Sequence, residues 1–210
     1  MITAEVRWAH DLEALTRAWN HHLPATILVR RIVAAPEGFH PRFSATSRIY
    51  RYTVLAPRST GFWQPRRHPL WDRYGWVLNR PLDLAAMNRA AALLVGEHDF
   101  ATFGQPPQGE NTVRRLEEAV WRRVQEDLPA LDPWPLDRFV FTITGNAFLR
   151  RMVRNLVGSL VAVGLGQWTL DEVAAALAAQ DRSRSAPPAP PNGLVLERVI
   201  YANHPHLFVE

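Results

Sequence analysis

The 210-residue chain carries 47% hydrophobic residues, enough for a substantial core, and 21% charged residues, ordinary for a soluble protein. No apolar run reaches the roughly 18–20 residues of a membrane span, and residues 1–10 lack the basic-then-apolar layout of a secretory signal. Cysteine is absent, which excludes disulfides, thiolate metal sites and a cysteine nucleophile and fits a cytoplasmic protein. The formal charge is +4 and all 24 basic residues are arginine. A genomic bias alone accounts for the lack of lysine, but the arginines also cluster: Arg42, Arg48 and Arg51; Arg66 and Arg67; Arg114 and Arg115; Arg122 and Arg123; Arg150, Arg151 and Arg154. Guanidinium groups grip phosphate through a planar fork, so such clusters suit a nucleic-acid partner.

In chain order, Asp11 predicts the cap of a helix through Leu12, Leu15 and Trp19 that stops before Pro24. Residues 27–33 are β-branched and read as a strand. Residues 47–55 alternate, with Ile49, Arg51 and Thr53 on one side and Tyr50, Tyr52 and Val54 on the other. Residues 56–81, rich in Pro, Arg and Trp, read as a long irregular excursion. Asp83 then caps a helix carrying Leu84, Met87, Ala91 and Leu94 on one face. Residues 96–103 read as a helix end entering a loop. The stretches 113–124 and 139–144 read as two strands paired across a proline-rich turn at 128–135. A long helix is expected over 147–164 and a shorter one over 169–179. Residues 185–192 (Ser-Ala-Pro-Pro-Ala-Pro-Pro-Asn) cannot be regular structure, because proline fixes φ and lacks the amide donor. A last strand follows over 194–201. This mixture of helices and hairpins predicts an α+β fold: a mixed, largely antiparallel sheet with helices on one face. No internal repeat, Gly-rich phosphate loop or metal-ligand spacing is present.

Three stretches can carry chemistry. Residues 39–52 interleave aromatics with arginines, the combination that stacking on bases and holding phosphates requires, although Tyr50 and Tyr52 could equally pack in the core. The second is the helix around Arg154. At about 100° per residue, Arg154 lies between the directions of Arg150, Val157 and Val161, and beyond it the helix is apolar on nearly every side. Such a helix is buried by more than one neighbour. An arginine there needs a carboxylate or phosphate, since an unpaired buried cation costs several kcal/mol; an internal ion pair, with Asp99 for instance, would serve as well. Gly158 would let another backbone come close. The third, around His98 and Asp99, could do acid–base work or simply close a helix.

Taken in order, these stretches resemble the TruA family of tRNA pseudouridine synthases. The matching pieces are Asn20 with Leu23-Pro24, Phe39-His40, Arg42-Phe43-Ser44-Ala45, Tyr50-Arg51-Tyr52, Gly96-Glu97, Asp99-Phe100 and Phe103. They continue through Val113-Arg114, Asn146-Ala147-Phe148-Leu149, Met152-Val153-Arg154-Asn155, Gly158-Ser159, Asp181-Arg182 and Gly193-Leu194. The resemblance implies the pseudouridine synthase fold and an isomerase that turns uridine into pseudouridine in the tRNA anticodon stem-loop, around positions 38 to 40. It also implies a homodimer that works without cofactor or metal. Its active-site tyrosine, which packs against a flipped uracil, corresponds to Tyr50. The basic residue that pairs with the catalytic aspartate corresponds to Arg154, so a buried guanidinium beside Tyr50 is expected. Phe148 and Leu149 would wall the pocket, and Arg42, Arg48, Arg51 and Arg114 would contact phosphates. Arg150 and Arg151 stand where many relatives carry histidine.

One departure matters. The family's nucleophile sits in a Gly-Arg-Thr-Asp-Ala-Gly motif, and that string does not occur in these 210 residues. By spacing it should end a few residues before Met1, with residues 2–8 matching the strand that follows it. The expectation is therefore an N-terminally truncated fold. Residues 1–35 would be the remainder of the N-terminal subdomain and residues 36–210 the C-terminal subdomain. Such a chain would be inactive by itself. The alternative is a non-catalytic tRNA-binding module; an unrelated structural domain is the third reading.

Overall fold

A computed structural model describes residues 1–60, 69, 71–107, 109–124 and 136–208. The proline-rich turn at 128–135, Arg66 and Arg67, and much of the excursion after residue 60 lie outside the described residues. The chain separates into two compact units, one of residues 1–46 with 200–210 and one of residues 47–199.

In the second unit six strands form one sheet: β1 (Ser47–Pro57), β2 (Trp76–Val77), β3 (Gly96–Asp99), β4 (Val113–Val124), β5 (Leu136–Gly145) and β6 (Leu194–Ile200). Their order is β2-β1-β5-β4-β3, with β6 also on β1. The long pairings β1–β5 and β4–β5 are antiparallel, and the two-residue β2 runs parallel to β1. Register puts Tyr52 and Trp121 opposite Phe141, and Tyr50 and Ala119 opposite Ile143. These residues share one face because side chains alternate along a strand. Against that face pack α2 (Leu84–Ala92) and α3 (Met152–Gly164), joined by α4 (Leu170–Ala179), and one hydrophobic cluster unites them. This is the α+β sheet with helical cover that the sequence predicts.

α2 begins as expected, with the Asp83 carboxylate accepting from the Ala86 amide at 2.8 Å. Every residue of α3 except Arg154 is buried, as an all-round apolar helix between a sheet and two helices must be. In the first unit, α1 (Leu12–His22) is capped by Asp11, which accepts from the Ala14 amide at 2.6 Å.

Four local expectations are corrected. Residues 96–99 form strand β3, paired with β4 through His98 opposite Arg114, rather than a helix end. The excursion contains strand β2 and a short 3-10 turn at Trp71–Arg73. Helix α3 starts at Met152, not 147: Arg150 exchanges backbone hydrogen bonds with Gln105, and Arg151 adopts φ 66°. Residues 2–8 and 27–33 form no strand; the N–H and C=O of Val29 pair with the Asn20 side chain instead. Among the described residues no helix is long and apolar enough to cross a membrane, and no group of three or more His, Asp or Glu could hold a metal.

Candidate functional site

The site is built where the start of β1, the end of β5 and the entry to α3 converge in the second unit. Tyr50 projects from the helix-facing side of β1, half-buried, and meets Phe148 edge to face with ring centres 5.0 Å apart. Phe148 is carried by the short irregular stretch between β5 and α3, and Leu149 beside it is buried against Gly104. Burial pushes the Tyr50 hydroxyl above its ordinary pKa, and the nearby Arg48 charge tempers that rise. The phenol therefore stays protonated at neutral pH. Two aromatic rings, one with a neutral hydroxyl, make an amphipathic wall for a flat heterocycle.

Arg154 is the one partly exposed residue of α3. Its Nε donates to the Ala189 carbonyl at 2.6 Å, and the Ala189 amide donates back to the Arg154 carbonyl at 3.0 Å. The tyrosine that feels its charge is Tyr52, two residues along the same strand face from Tyr50. Asp99, weighed as an internal partner, instead accepts from the Ala101 amide at 2.9 Å. Among the described residues no carboxylate forms an ion pair with Arg154, and its side chain is held there through Nε on the Ala189 carbonyl.

The proline-rich segment 185–193 is the wall that holds this arrangement; it is irregular as expected only up to Pro190, and Pro191–Gly193 form a short 3-10 turn. The Tyr52 hydroxyl donates to the Pro190 carbonyl at 2.7 Å, and burial drives its pKa far upward while the Arg154 charge partly opposes that. Gly158 lies directly under the Pro187 carbonyl oxygen, so a Cβ there would overlap it, the close approach that this glycine allows. Gly193 comes near β1 as well, where an added Cβ would stand 2.8 Å from the Thr53 oxygen and from the Tyr52 ring. Asn192 donates to the carbonyls of Asp72 and Gly75. Because proline offers carbonyls but no amide, the segment presents an acceptor-rich edge, to which Tyr52 and Arg154 supply the donors.

The other arginines divide. Arg48 shares the strand face of Tyr50, and its Nη1 donates to the Asn146 carbonyl at 2.6 Å. Arg114 turns back on its own strand, with Nη1 on the Val113 and Asn111 carbonyls, and burial lowers its pKa. Arg51 points to the opposite sheet face, as alternation requires, where it pairs with Glu197 at 2.6 Å. Arg42 belongs to the first unit, with its guanidinium 5.5 Å from the centre of the Phe43 ring. Thus Tyr50, Phe148, Leu149 and Arg48 share a neighbourhood, Arg154 meets Tyr52 rather than Tyr50, and Arg51 lies on the other sheet face. Sequence reading missed Tyr52 and the 185–193 wall as parts of the site. The available signal was Gly158, a small residue in a buried helix that required a close neighbour.

A family model described as tRNA pseudouridine synthase matches residues 90–202, which include β3–β6, α3 and the 185–193 wall. The chain is 40% identical over 202 residues to "tRNA pseudouridine synthase A" of Bifidobacterium longum, covering 90% of this chain and 64% of that protein. It is 42% identical over 187 residues to the protein of the same name from Burkholderia multivorans (88% and 62%), and 35% over 189 residues to that of Thermotoga maritima (90% and 70%). It therefore spans a little under two thirds of the length of the first two relatives and 70% of the third. With a likeness that runs through nearly all of this chain and a family match over residues 90–202, which hold β5, α3 and the 185–193 wall but not the strand of Tyr50, the chain belongs to the tRNA pseudouridine synthase family.

Proposed function

We propose that this chain supplies the uracil-holding and RNA-gripping part of a tRNA pseudouridine synthase acting on uridines of the anticodon stem-loop, at positions 38 to 40. The isomerisation breaks the bond from ribose C1′ to uracil N1, turns the base, and joins C1′ to C5. The C5 proton leaves and N1 gains one, so no atom is lost. A base must leave the helical stack to react, at a cost of a few kcal/mol. The Tyr50–Phe148 edge-to-face pair can offset this by taking the flipped uracil against a ring face. Arg154, its Nε already committed to Ala189, offers the remaining fork to a carboxylate that would act at the ribose or base. That fork is the observation that carries the reading: a guanidinium held at one nitrogen and without a carboxylate among the described residues. Arg48, whose charge is felt by Tyr50, would add charge near a phosphate.

The 210 residues contain no Gly-Arg-Thr-Asp-Ala-Gly string. We therefore expect this polypeptide by itself to bind tRNA with strong salt dependence and to give no turnover. The same observation favours, as the second reading, a tRNA-binding module without catalysis. Release of tritium from 5-tritiated uridine in tRNA, measured on this chain and on the chain extended upstream in its coding frame, separates the two. Turnover only by the extended form supports the enzyme; turnover by neither supports the module; turnover by this chain alone would sink the requirement for the missing carboxylate. Binding unchanged in an Arg154→Ala, Tyr50→Ala double variant would return both residues to a packing role. A cytoplasmic homodimer completes the reading on the strength of the family resemblance, and sedimentation equilibrium tests the dimer.

A further inference from the structure

The wall beside Arg154 has prolines at 187, 188, 190 and 191, so it offers carbonyls with few amides to anchor it. Ala189, buried between them, spends its amide on the Arg154 carbonyl at 3.0 Å. Its own carbonyl takes the Arg154 Nε at 2.6 Å. Because a guanidinium is planar, an acceptor on Nε sets the plane in which both terminal nitrogens point. The direction of Arg154 therefore follows that of the Ala189 carbonyl. This carbonyl belongs to the peptide joining Ala189 to Pro190. The next peptide along is held from β1, where the Tyr52 hydroxyl donates to the Pro190 carbonyl at 2.7 Å. The pyrrolidine ring of Pro190 locks φ between the two peptides, so holding one restricts the other. Tyr52 is itself closely packed, with no exposed surface, Gly193 against its ring and Phe141 opposite in register. A buried hydroxyl requires an acceptor, but any acceptor would serve packing. This one lies one residue from the carbonyl that holds Arg154, and the Arg154 charge reaches the hydroxyl.

We propose that Tyr52 is a positioning residue: its hydroxyl, through Pro190 and Ala189, aims the Arg154 guanidinium at the carboxylate that the isomerisation uses. The proposal rests on the synthase reading above and deepens it, since Tyr52 need touch neither uracil nor RNA. The two tyrosines of β1 then divide the work. Tyr50 walls the pocket with Phe148, and Tyr52 sets the charged group.

Tyr52→Phe tests it, because the ring stays and only the hydroxyl goes. In nitrogen–proton NMR of the 210-residue chain, the Arg154 Nε–H signal is identified by its loss in Arg154→Lys. In Tyr52→Phe this signal should move toward that of exposed arginines. Its exchange with water should quicken about tenfold, the scale of one weakened hydrogen bond to a charged group. Asn192→Ala loosens the same wall two residues on, by freeing the Asp72 and Gly75 carbonyls. It should show the same change at smaller size, and it decides the matter if Tyr52→Phe costs the fold. In the chain extended upstream, Tyr52→Phe should lower kcat for tritium release roughly tenfold and leave KM unchanged. A merely structural tyrosine would lower the melting temperature and leave the Arg154 signal where it was; that result overturns the proposal. A moved signal with parent-like kcat overturns the link to catalysis. Absence of turnover by the extended parent sinks the synthase reading and the catalytic role together, while the NMR arm still reports whether Tyr52 aims Arg154.

Discussion

Two asparagines, one in each unit, treat the backbone in the same way and obtain different results. Asn88 on α2 donates to the Trp121 carbonyl at 3.0 Å and accepts from its amide at 2.8 Å. Asn20 on α1 does the same to Val29, at 2.9 and 2.8 Å. A carboxamide is a peptide group in miniature, so either side chain can stand in for one residue of a neighbouring strand. On Trp121 the mimic completes a strand whose other edge is already paired with β5, covering part of an edge that β3 leaves open beyond Leu116. On Val29 it acts alone, and residues 27–33 do not become a strand despite their β-branched composition. The lesson is that strand propensity describes fitness for a pleated surface, and a ladder of partners must be present for it to be expressed.

Several measurements would break or sharpen this contrast. The largest effect is expected from Trp121→Ala. Its ring is buried and stacks on Phe141 at 4.9 Å, so its loss should cost about 3–5 kcal/mol of unfolding free energy in urea titration. Asn88→Ala comes next, since it orphans an amide and a carbonyl in a part-buried place; about 1–3 kcal/mol should be lost, with faster hydrogen exchange along β4. Asn20→Ala should cost about 0.5–1.5 kcal/mol, with faster exchange limited to residues of the first unit. Equal exchange changes in both units after Asn20→Ala would contradict the separation drawn here.

The smallest effect concerns a third side chain bound to backbone. Glu172 accepts from the Thr169 amide at 2.6 Å and from its hydroxyl at 2.9 Å, and these bonds hold its carboxyl below the usual range. A depressed folded pKa means that the bond contributes above the ordinary carboxylate pKa and is lost as pH falls through the folded value. Exchange of the Thr169 amide should therefore quicken on acidification beyond the intrinsic pH effect. In Glu172→Gln that excess should vanish; if it persists, another group is responsible.

Much of the second unit was legible because its signals are local and strong. Asp83 and Thr169 announce helix starts, the alternation of β1 names Tyr52 and Val54 as core, and the all-round apolar α3 implies cover on several sides. Other features were not legible. β3 is a four-residue strand that opens on Gly96, and only Arg114 and its neighbours across the ladder make it a strand. The residues before Met152 have helical character, but Gln105 claims the Arg150 backbone and Asn146 accepts from the Arg115 amide. The partners in these contacts lie about 14 to 45 residues away along the chain, beyond any periodicity.

For the site the division is similar. Residue type and order by themselves determined that Tyr50, Phe148 and Arg154 recur in a family pattern, and that Arg154 interrupts an apolar helix. Tertiary structure alone decided that Arg51 faces away with Glu197, that Tyr52 rather than a carboxylate stands in the field of Arg154, and that an acceptor-rich proline segment aims the guanidinium. Sequence encodes what each group can donate, accept or stack on; which partner it meets is a property of distance, and distance is set only when the sheet and helices close around one another.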